Sequence, residues 1–263
     1  MLEGRSPHAT QVNPVRQLAL GESGVTGSSH TRLTAGIFDV DGVLLASPHE
    51  RAWREALEGF ANPDLFTTAM YQAHVAGMPR LDGARAALEA LGVPDAGRQA
   101  ATYAERKQKR LEELIEAGTV TAFPDALRLV QAVAALGWPM AVESSSKNAN
   151  QMMQPIRLES GQSLLDVFSV NVCGRDLRHG KPSPEIFLLA ATELHMDPEH
   201  CFVAEDASAG IEAAHAGRMT ALGVARLGDS APLWAAGADL VVTNLDQIAI
   251  DALVGGRLCR RAT

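Results

Sequence analysis

The chain has 263 residues, 46% of them hydrophobic and 21% charged, with a formal net charge of −8. At about 100–200 residues per domain this length makes one or two domains, and the proportions exclude disordered, collagen-like and fibrous chains. The negative charge argues against a nucleic-acid or anionic-lipid partner, and no run of roughly 18 apolar residues offers a membrane span. Three cysteines, Cys173, Cys201 and Cys259, form no CxxC pair. That speaks for a reducing, cytoplasmic setting and against a disulfide framework or zinc site. The chain is taken as a monomer.

Residues 1–33 contain the Gly/Ser-rich run GESGVTGSSHTR and no apolar core of signal-peptide length after Met1. They read as a tail without packed structure. The run AGIFDVDGVL from Ala35 reads as a buried strand that ends in acidic residues and a glycine. Further strands are expected over 139–142, 167–172, 201–204, 220–224 and 240–242, with helices over 124–136, 184–195 and 208–216. Strand and helix alternating in this way predict an α/β fold, a Rossmann-like parallel sheet covered on both faces. Sites in such sheets form at the carboxyl ends of the strands.

Residues 47–118 break the alternation with helical patterns only. Ser47-Pro48-His49-Glu50 reads as a capping box opening a helix whose buried face is Ala52, Trp53, Ala56, Leu57 and Phe60. Leu65, Phe66, Ala69, Met70 and Ala73 form a second stripe, and Leu81, Ala84, Leu88 and Leu91 a third. A fourth helix, about 99–117, is rich in Lys, Arg and Glu. Its narrow apolar side is Leu111, Leu114 and Ile115, and its 106–109 run reads as a solvated face. The organisation expected is thus a tail over 1–33, a core over 34–46 and 119–263, and an inserted helical cap over 47–118.

Asp39-x-Asp41 closes the first strand and Glu205-Asp206 the strand from Cys201. In a parallel sheet these ends share one edge, so four carboxylates converge and must be neutralised by protons or a cation. Four oxygen donors suit a hard ion such as Mg²⁺ better than zinc. Ser144, with Ser145 and Ser146 before Lys147 and Asn148, follows another strand end, where hydroxyls and N–H groups favour an anion. Lys181 precedes the helix that Ser183 and Pro184 open. Acids, Mg²⁺, Ser and Lys together are what phosphoryl transfer requires.

The sequence DVDGV, a strand ending in Ser, GKPSPEIF and AEDASAG, in this order, resembles the haloacid dehalogenase superfamily. The likeness covers about residues 35–245, and the insert is similar to that family's small helical cap. The resemblance implies Asp39 as nucleophile and Asp41 as general acid/base, with Ser144 and Lys181 holding the transferring phosphate. It implies a Mg²⁺ site made by Asp39, the Asp41 carbonyl and Asp206, with Glu205 directly or through water. A narrower resemblance is to the β-phosphoglucomutase subfamily. It rests on Ser144-Ser145-Ser146-Lys147-Asn148, on Gly77-Met78-Pro79-Arg80, on His49 four residues before Trp53, and on Arg106-Lys107. It implies that Arg80, Ser146, Lys147 and Asn148 grip a second, non-transferring phosphate and that His49 gates Asp41. Two departures stand out. The stretch from Asp39 to His49 is short by two residues, and Glu143 occupies a place usually taken by a small residue. If Glu143 faces outward it is inert; if inward, it repels phosphate. The function implied is Mg²⁺-dependent exchange between the 1- and 6-positions of a small phosphorylated sugar. The alternative is a phosphatase on a similar substrate.

Overall fold

The computed structural model describes residues 32–262. The tail expected over 1–33 lies outside them except for its last two residues. Of these, Leu33 is buried and donates its N–H to the Gly256 carbonyl at 2.9 Å, so packed structure begins at least one residue before the boundary drawn from composition.

In chain order the elements are β1 (Ala35–Asp39), β2 (Leu45–Ala46), α1 (His49–Ala56), α2 (Thr68–His74), α3 (Arg80–Ala90), α4 (Ala96–Glu116), β3 (Thr121–Ala122), α5 (Pro124–Ala135) and β4 (Met140–Glu143). There follow α6 (Ala149–Met153), β5 (Val170–Asn171), α7 (Glu185–Glu193), β6 (Cys201–Glu205), α8 (Ser208–Ala216), β7 (Thr220–Val224), α9 (Ala231–Ala235), β8 (Leu240–Val242) and α10 (Ile250–Val254). Six strands form one parallel sheet in the order β5-β4-β1-β6-β7-β8.

The order places β1 at the centre, which is why its side chains are apolar on both sides. Phe38 packs with α5, α6 and α10 on one face, and Ile37 with α7 and α8 on the other. Each fully buried side chain of this size contributes roughly 1.5–3 kcal/mol of burial free energy. The strand expected over 167–172 is shorter: Leu165–Val167 forms a 3₁₀ turn and only Val170–Asn171 pairs, on the sheet edge. Among the described residues no helix is long and apolar enough to cross a membrane.

Helices α1–α4 lie between β2 and β3, which pair antiparallel with each other. They have their own apolar cluster, in which Trp53, Leu57, Phe66, Leu88 and Tyr103 are buried together. The Tyr103 hydroxyl donates to the Trp53 carbonyl at 2.8 Å. The capping box at 47–50 does not form. Pro48 occupies the cap position with no side-chain bond, and Glu50 accepts from Arg54 and from Thr68 (2.8 Å) instead of reaching back. Ser47 is drawn away by Asp41, to which it hydrogen-bonds. The second stripe divides into a 3₁₀ turn at Pro63–Leu65 and α2, which Thr67 caps by accepting from Met70 N–H at 3.2 Å. Leu65 and Leu81 fall off the buried faces and stay exposed.

Candidate active site

Parallel strands deliver their last residues to one edge of the sheet. β1 ends at Asp39, β4 at Glu143 and β6 at Glu205. Asp39 and Glu143 are register partners, and side chains at one register level project from the same face. Glu143 therefore points inward beside Asp39, with no exposed surface. Lys181, from the loop before α7, enters between the three acids. Its Nζ lies 2.8 Å from Asp39 Oδ1, 2.8 Å from Glu143 Oε1, and in hydrogen-bond contact with Glu205 Oε1. One oxygen of each acid lies within 4.8 Å of the others, so the trio has the spacing of a metal site, but the lysine ammonium fills it.

Burial alone would pull Lys181 down. Asp39, Glu143 and Glu205 together push it well above the usual range, so it is a fixed cation. Burial raises Asp39 and Glu205, against the pull of Lys181, and holds Glu143 well above its ordinary range. The second oxygen of Glu205 accepts from the N–H groups of Asp206 (2.9 Å) and Ala207 (3.0 Å). Both Glu205 oxygens are thus already bonded. The Asp206 carboxylate packs directly on Gly42, where a Cβ would overlap it. Burial pushes Asp206 well above the usual range, with Glu205, Asp39 and Asp41 adding to the rise.

Asp41 sits in the turn after β1. Its Oδ2 accepts from the Ser144 hydroxyl at 3.3 Å. Its Oδ1 faces His49 Nε2 at 3.5 Å, and both atoms are buried with no closer partner. His49 Nδ1 in turn lies 2.8 Å from Lys107 Nζ on α4. A lysine amine donates, so Nδ1 accepts and the imidazole carries its proton on Nε2, toward Asp41. Burial first and Lys107 second keep His49 well below its ordinary range, hence neutral. Burial, opposed by Asp41 and helped by Arg80, brings Lys107 down to about 7. Lys107 is not on a solvated face: it is buried, 4.7 Å from the Trp53 ring centroid. The sequence carried the signal, because Tyr103, Lys107 and Leu111 recur every four residues on the inner side of the helix.

A cavity of about 800 Å³ opens between this edge and the cap. Asp39, Asp41, Ser144, Glu205 and Asp206 line its floor, and His49, Gly77, Arg80, Ser146 and Lys147 line its sides and roof. Lys181 and Asn148 lie behind the wall. The residues expected to hold a second phosphate are engaged elsewhere or open. Lys147 is exposed and paired with Asp176 at 2.8 Å, and Arg80, the first residue of α3, is exposed. Asn148 exchanges two hydrogen bonds with Gln108 of α4, at 3.1 and 3.3 Å. The cap also meets the core where the Ser145 hydroxyl donates to the Gly77 carbonyl at 3.1 Å. Glu143, Lys107, Gln108 and Tyr71 complete the surroundings. Burial, with the Asp41 and Asp206 charges, lifts the Tyr71 hydroxyl well above its usual range.

A parallel sheet whose carboxyl edge gathers Asp39, Asp41, Lys181 and Asp206 under a helical insert defines an enzyme class. The family model of haloacid dehalogenase-like hydrolases matches residues 34–218, and the chain belongs to that family. It is 32% identical over 246 residues to the β-phosphoglucomutase of Mycobacterium bovis, covering 82% of this chain and 92% of that relative. It is 30% identical over 215 residues to a phosphorylated carbohydrates phosphatase of Thermotoga maritima, covering 80% and 94%. Among solved structures, an archaeal β-phosphoglucomutase from Pyrococcus sp. strain ST 04 superposes with a TM-score of 0.67 at 30% identity, over 85% of this chain and 99% of that one. The β-phosphoglucomutase of Clostridium difficile gives 0.71 at 26% identity, over 85% and 96%.

Proposed function

We propose that the enzyme is a Mg²⁺-dependent phosphotransferase of β-phosphoglucomutase type. It would exchange phosphate between the 1- and 6-positions of a small phosphorylated sugar under a cap that opens and closes. The observation that supports this best is the chain Lys107–His49–Asp41, which joins a cap helix to the proposed acid/base across the cavity. In one half-reaction the Asp39 carboxylate oxygen would bond to a phosphorus of a sugar bisphosphate as that sugar C–O–P bridge breaks at phosphorus, which leaves a sugar monophosphate. In the other, the free hydroxyl of a sugar monophosphate takes this phosphoryl group from Asp39 and restores the bisphosphate. Asp41, raised by burial, protonates the departing sugar oxygen and later takes the proton of the incoming hydroxyl. Lys181 neutralises Asp39 and the phosphoryl oxygens, and the Ser144 hydroxyl, fixed by its bond from Ser146 N–H at 3.0 Å, orients them. A bisphosphate that turns around between half-reactions completes the exchange.

The residues present fit Mg²⁺. The donors are all oxygen, and Asp206 is pressed against Gly42 in the turn that carries Asp41. Asp39, Asp206 and the Asp41 carbonyl would hold the ion. Glu205, with both oxygens bonded, would orient Asp206 and Lys181 instead. When bound, the ion supplies charge neutralisation to the phosphoryl oxygens.

A second reading, a phosphatase that hydrolyses the aspartyl-phosphate, is favoured by the engagement of Lys147 with Asp176 and of Asn148 with Gln108. Product analysis with β-glucose 1-phosphate, with and without a bisphosphate primer, separates the two. Glucose 6-phosphate means mutase, and glucose with inorganic phosphate means phosphatase.

A further inference from the structure

The helical insert joins the core through β2 and β3, which pair as Leu45 with Ala122 and Ala46 with Thr121. One side chain holds the core end of both. Arg226, in the loop after β7, donates from Nε to the Gly42 carbonyl at 3.2 Å and from Nη2 to the Val43 carbonyl at 2.8 Å. Those two residues lead into β2. Its Nη1 donates to Asp125 Oδ2 at the start of α5, just beyond β3. Its guanidinium carbon lies 4.0 Å from the ring centroid of Phe123, the residue between β3 and α5. Phe123 N–H donates to the Leu44 carbonyl at 3.0 Å, so the two linkers also touch directly. Asp125 is buried and accepts a further bond from Leu245 N–H at 2.7 Å. All three guanidinium nitrogens are used, in the planar fork that a lysine does not offer. The chemistry proposed above requires none of these contacts.

We propose that Arg226 is a positioning residue that fixes the core half of the cap hinge. Hinges concentrate a movement in a few backbone angles at element ends. Here the turn before β2 includes Gly42 at φ 80°, and it also carries Asp41. With both linkers clamped to one rigid group, the cap returns to one closed position, in which His49 meets Asp41 and Arg80 faces the cavity. With the clamp loosened, the cap closes over a spread of positions. Misplacement of reacting groups by about 1 Å costs on the order of a hundredfold in rate.

The inference rests on the reading of the cleft as a phosphoryl-transfer site, and its test separates the two. Acetyl phosphate carries a leaving group that needs no protonation, so its reaction at Asp39 does not depend on cap residues. In Arg226→Met, phosphoenzyme formation from acetyl phosphate should stay within about threefold of wild type. The kcat/KM for β-glucose 1-phosphate should fall roughly ten- to a hundredfold, chiefly through kcat, because the bound sugar meets misplaced cap groups. Arg226→Lys keeps the charge opposite Asp125 but not the fork, and should recover part of the loss; if the methionine variant does not fold, the lysine variant carries the same comparison. Amide hydrogen exchange at Leu45 and Phe123 should quicken by about tenfold or more relative to amides of β1 and β6, which reports local opening of the hinge. Equal losses on both substrates, no loss on either, or unchanged exchange at the hinge would overturn the proposal. If the wild type forms no phosphoenzyme from acetyl phosphate, the site reading fails, and hinge exchange alone then decides the role of Arg226.

Discussion

Glu143 is buried against Lys181 beside the proposed nucleophile, and replacing it with glutamine tests its charge state. Glutamine keeps the oxygen that accepts from Lys181 and the volume of the buried side chain, but it cannot ionise. In the folded protein, burial holds Glu143 well above its ordinary value of 4.5, with Asp39 and Glu205 adding to the rise and Lys181 opposing it. Above pH 4.5 the unfolded chain loses this proton while the folded chain keeps it. The folded state then binds more protons, so stability falls as pH rises through the window that starts near 4.5 and ends at the raised folded value. The slope is at most about 1.36 kcal/mol per pH unit. As pH rises from 5 to 7, wild type should therefore lose stability that Glu143→Gln does not. It should appear as a Tm difference between the two proteins that changes steadily with pH, each kcal/mol being about 2–4 °C for a chain of this size. The measurement is thermal melting of both proteins at pH 5, 6 and 7 in EDTA, so that no divalent cation contributes. A constant Tm difference across this range would refute the reasoning: Glu143 would then be ionised throughout, with the attraction of Lys181 exceeding the cost of burial.

Asp39→Asn should abolish the covalent phosphoenzyme, read by mass spectrometry after acid quench, whereas Asp41→Asn should slow turnover of the sugar phosphate by roughly 10²–10⁴-fold. A phosphoenzyme that persists in Asp39→Asn would displace Asp39 as nucleophile. Lys107→Met should raise the pKa of His49, since Lys107 adds to the lowering that burial begins; imidazole ¹⁵N shifts followed between pH 4 and 8 would show the rise, and an unmoved titration would deny the contact. Arg80→Ala should reduce kcat/KM on the hexose phosphate roughly ten- to a hundredfold, since a charged hydrogen bond contributes about 1.5–3 kcal/mol. Turnover of acetyl phosphate, which has no second phosphate, should change much less, and equal effects on both substrates would favour the phosphatase.

What sequence showed and what it hid follow from the range of each interaction. The alternation of apolar runs and Gly-terminated helices is a local pattern, so β1, β4, β6, β7 and β8 with α5, α7 and α8 were readable to within a residue or two, whereas the five-residue helices α6 and α9 were not. The pair β2–β3 was not, because two residues have no period. The capping box at 47–50 had the right residue types, but Ser47 bonds Asp41 and Glu50 bonds Arg54 and Thr68, partners no local rule contains. The acids of the site could be gathered from strand ends alone, since parallel strands end on one edge. Which of them faces which required register. Asp39 opposite Glu143 is a single line of the sheet pairing, and it turns a departure from the family pattern into a third carboxylate on Lys181. The same holds for Lys107. Its charge suggested a solvated face, while its spacing from Tyr103 and Leu111 placed it inside, and packing favoured the spacing because the His49 nitrogen and the Trp53 ring accept the amine there. Charge type alone misplaces such residues. A polar group goes where its partners are, and at this site those partners come from strands and helices far apart in the chain.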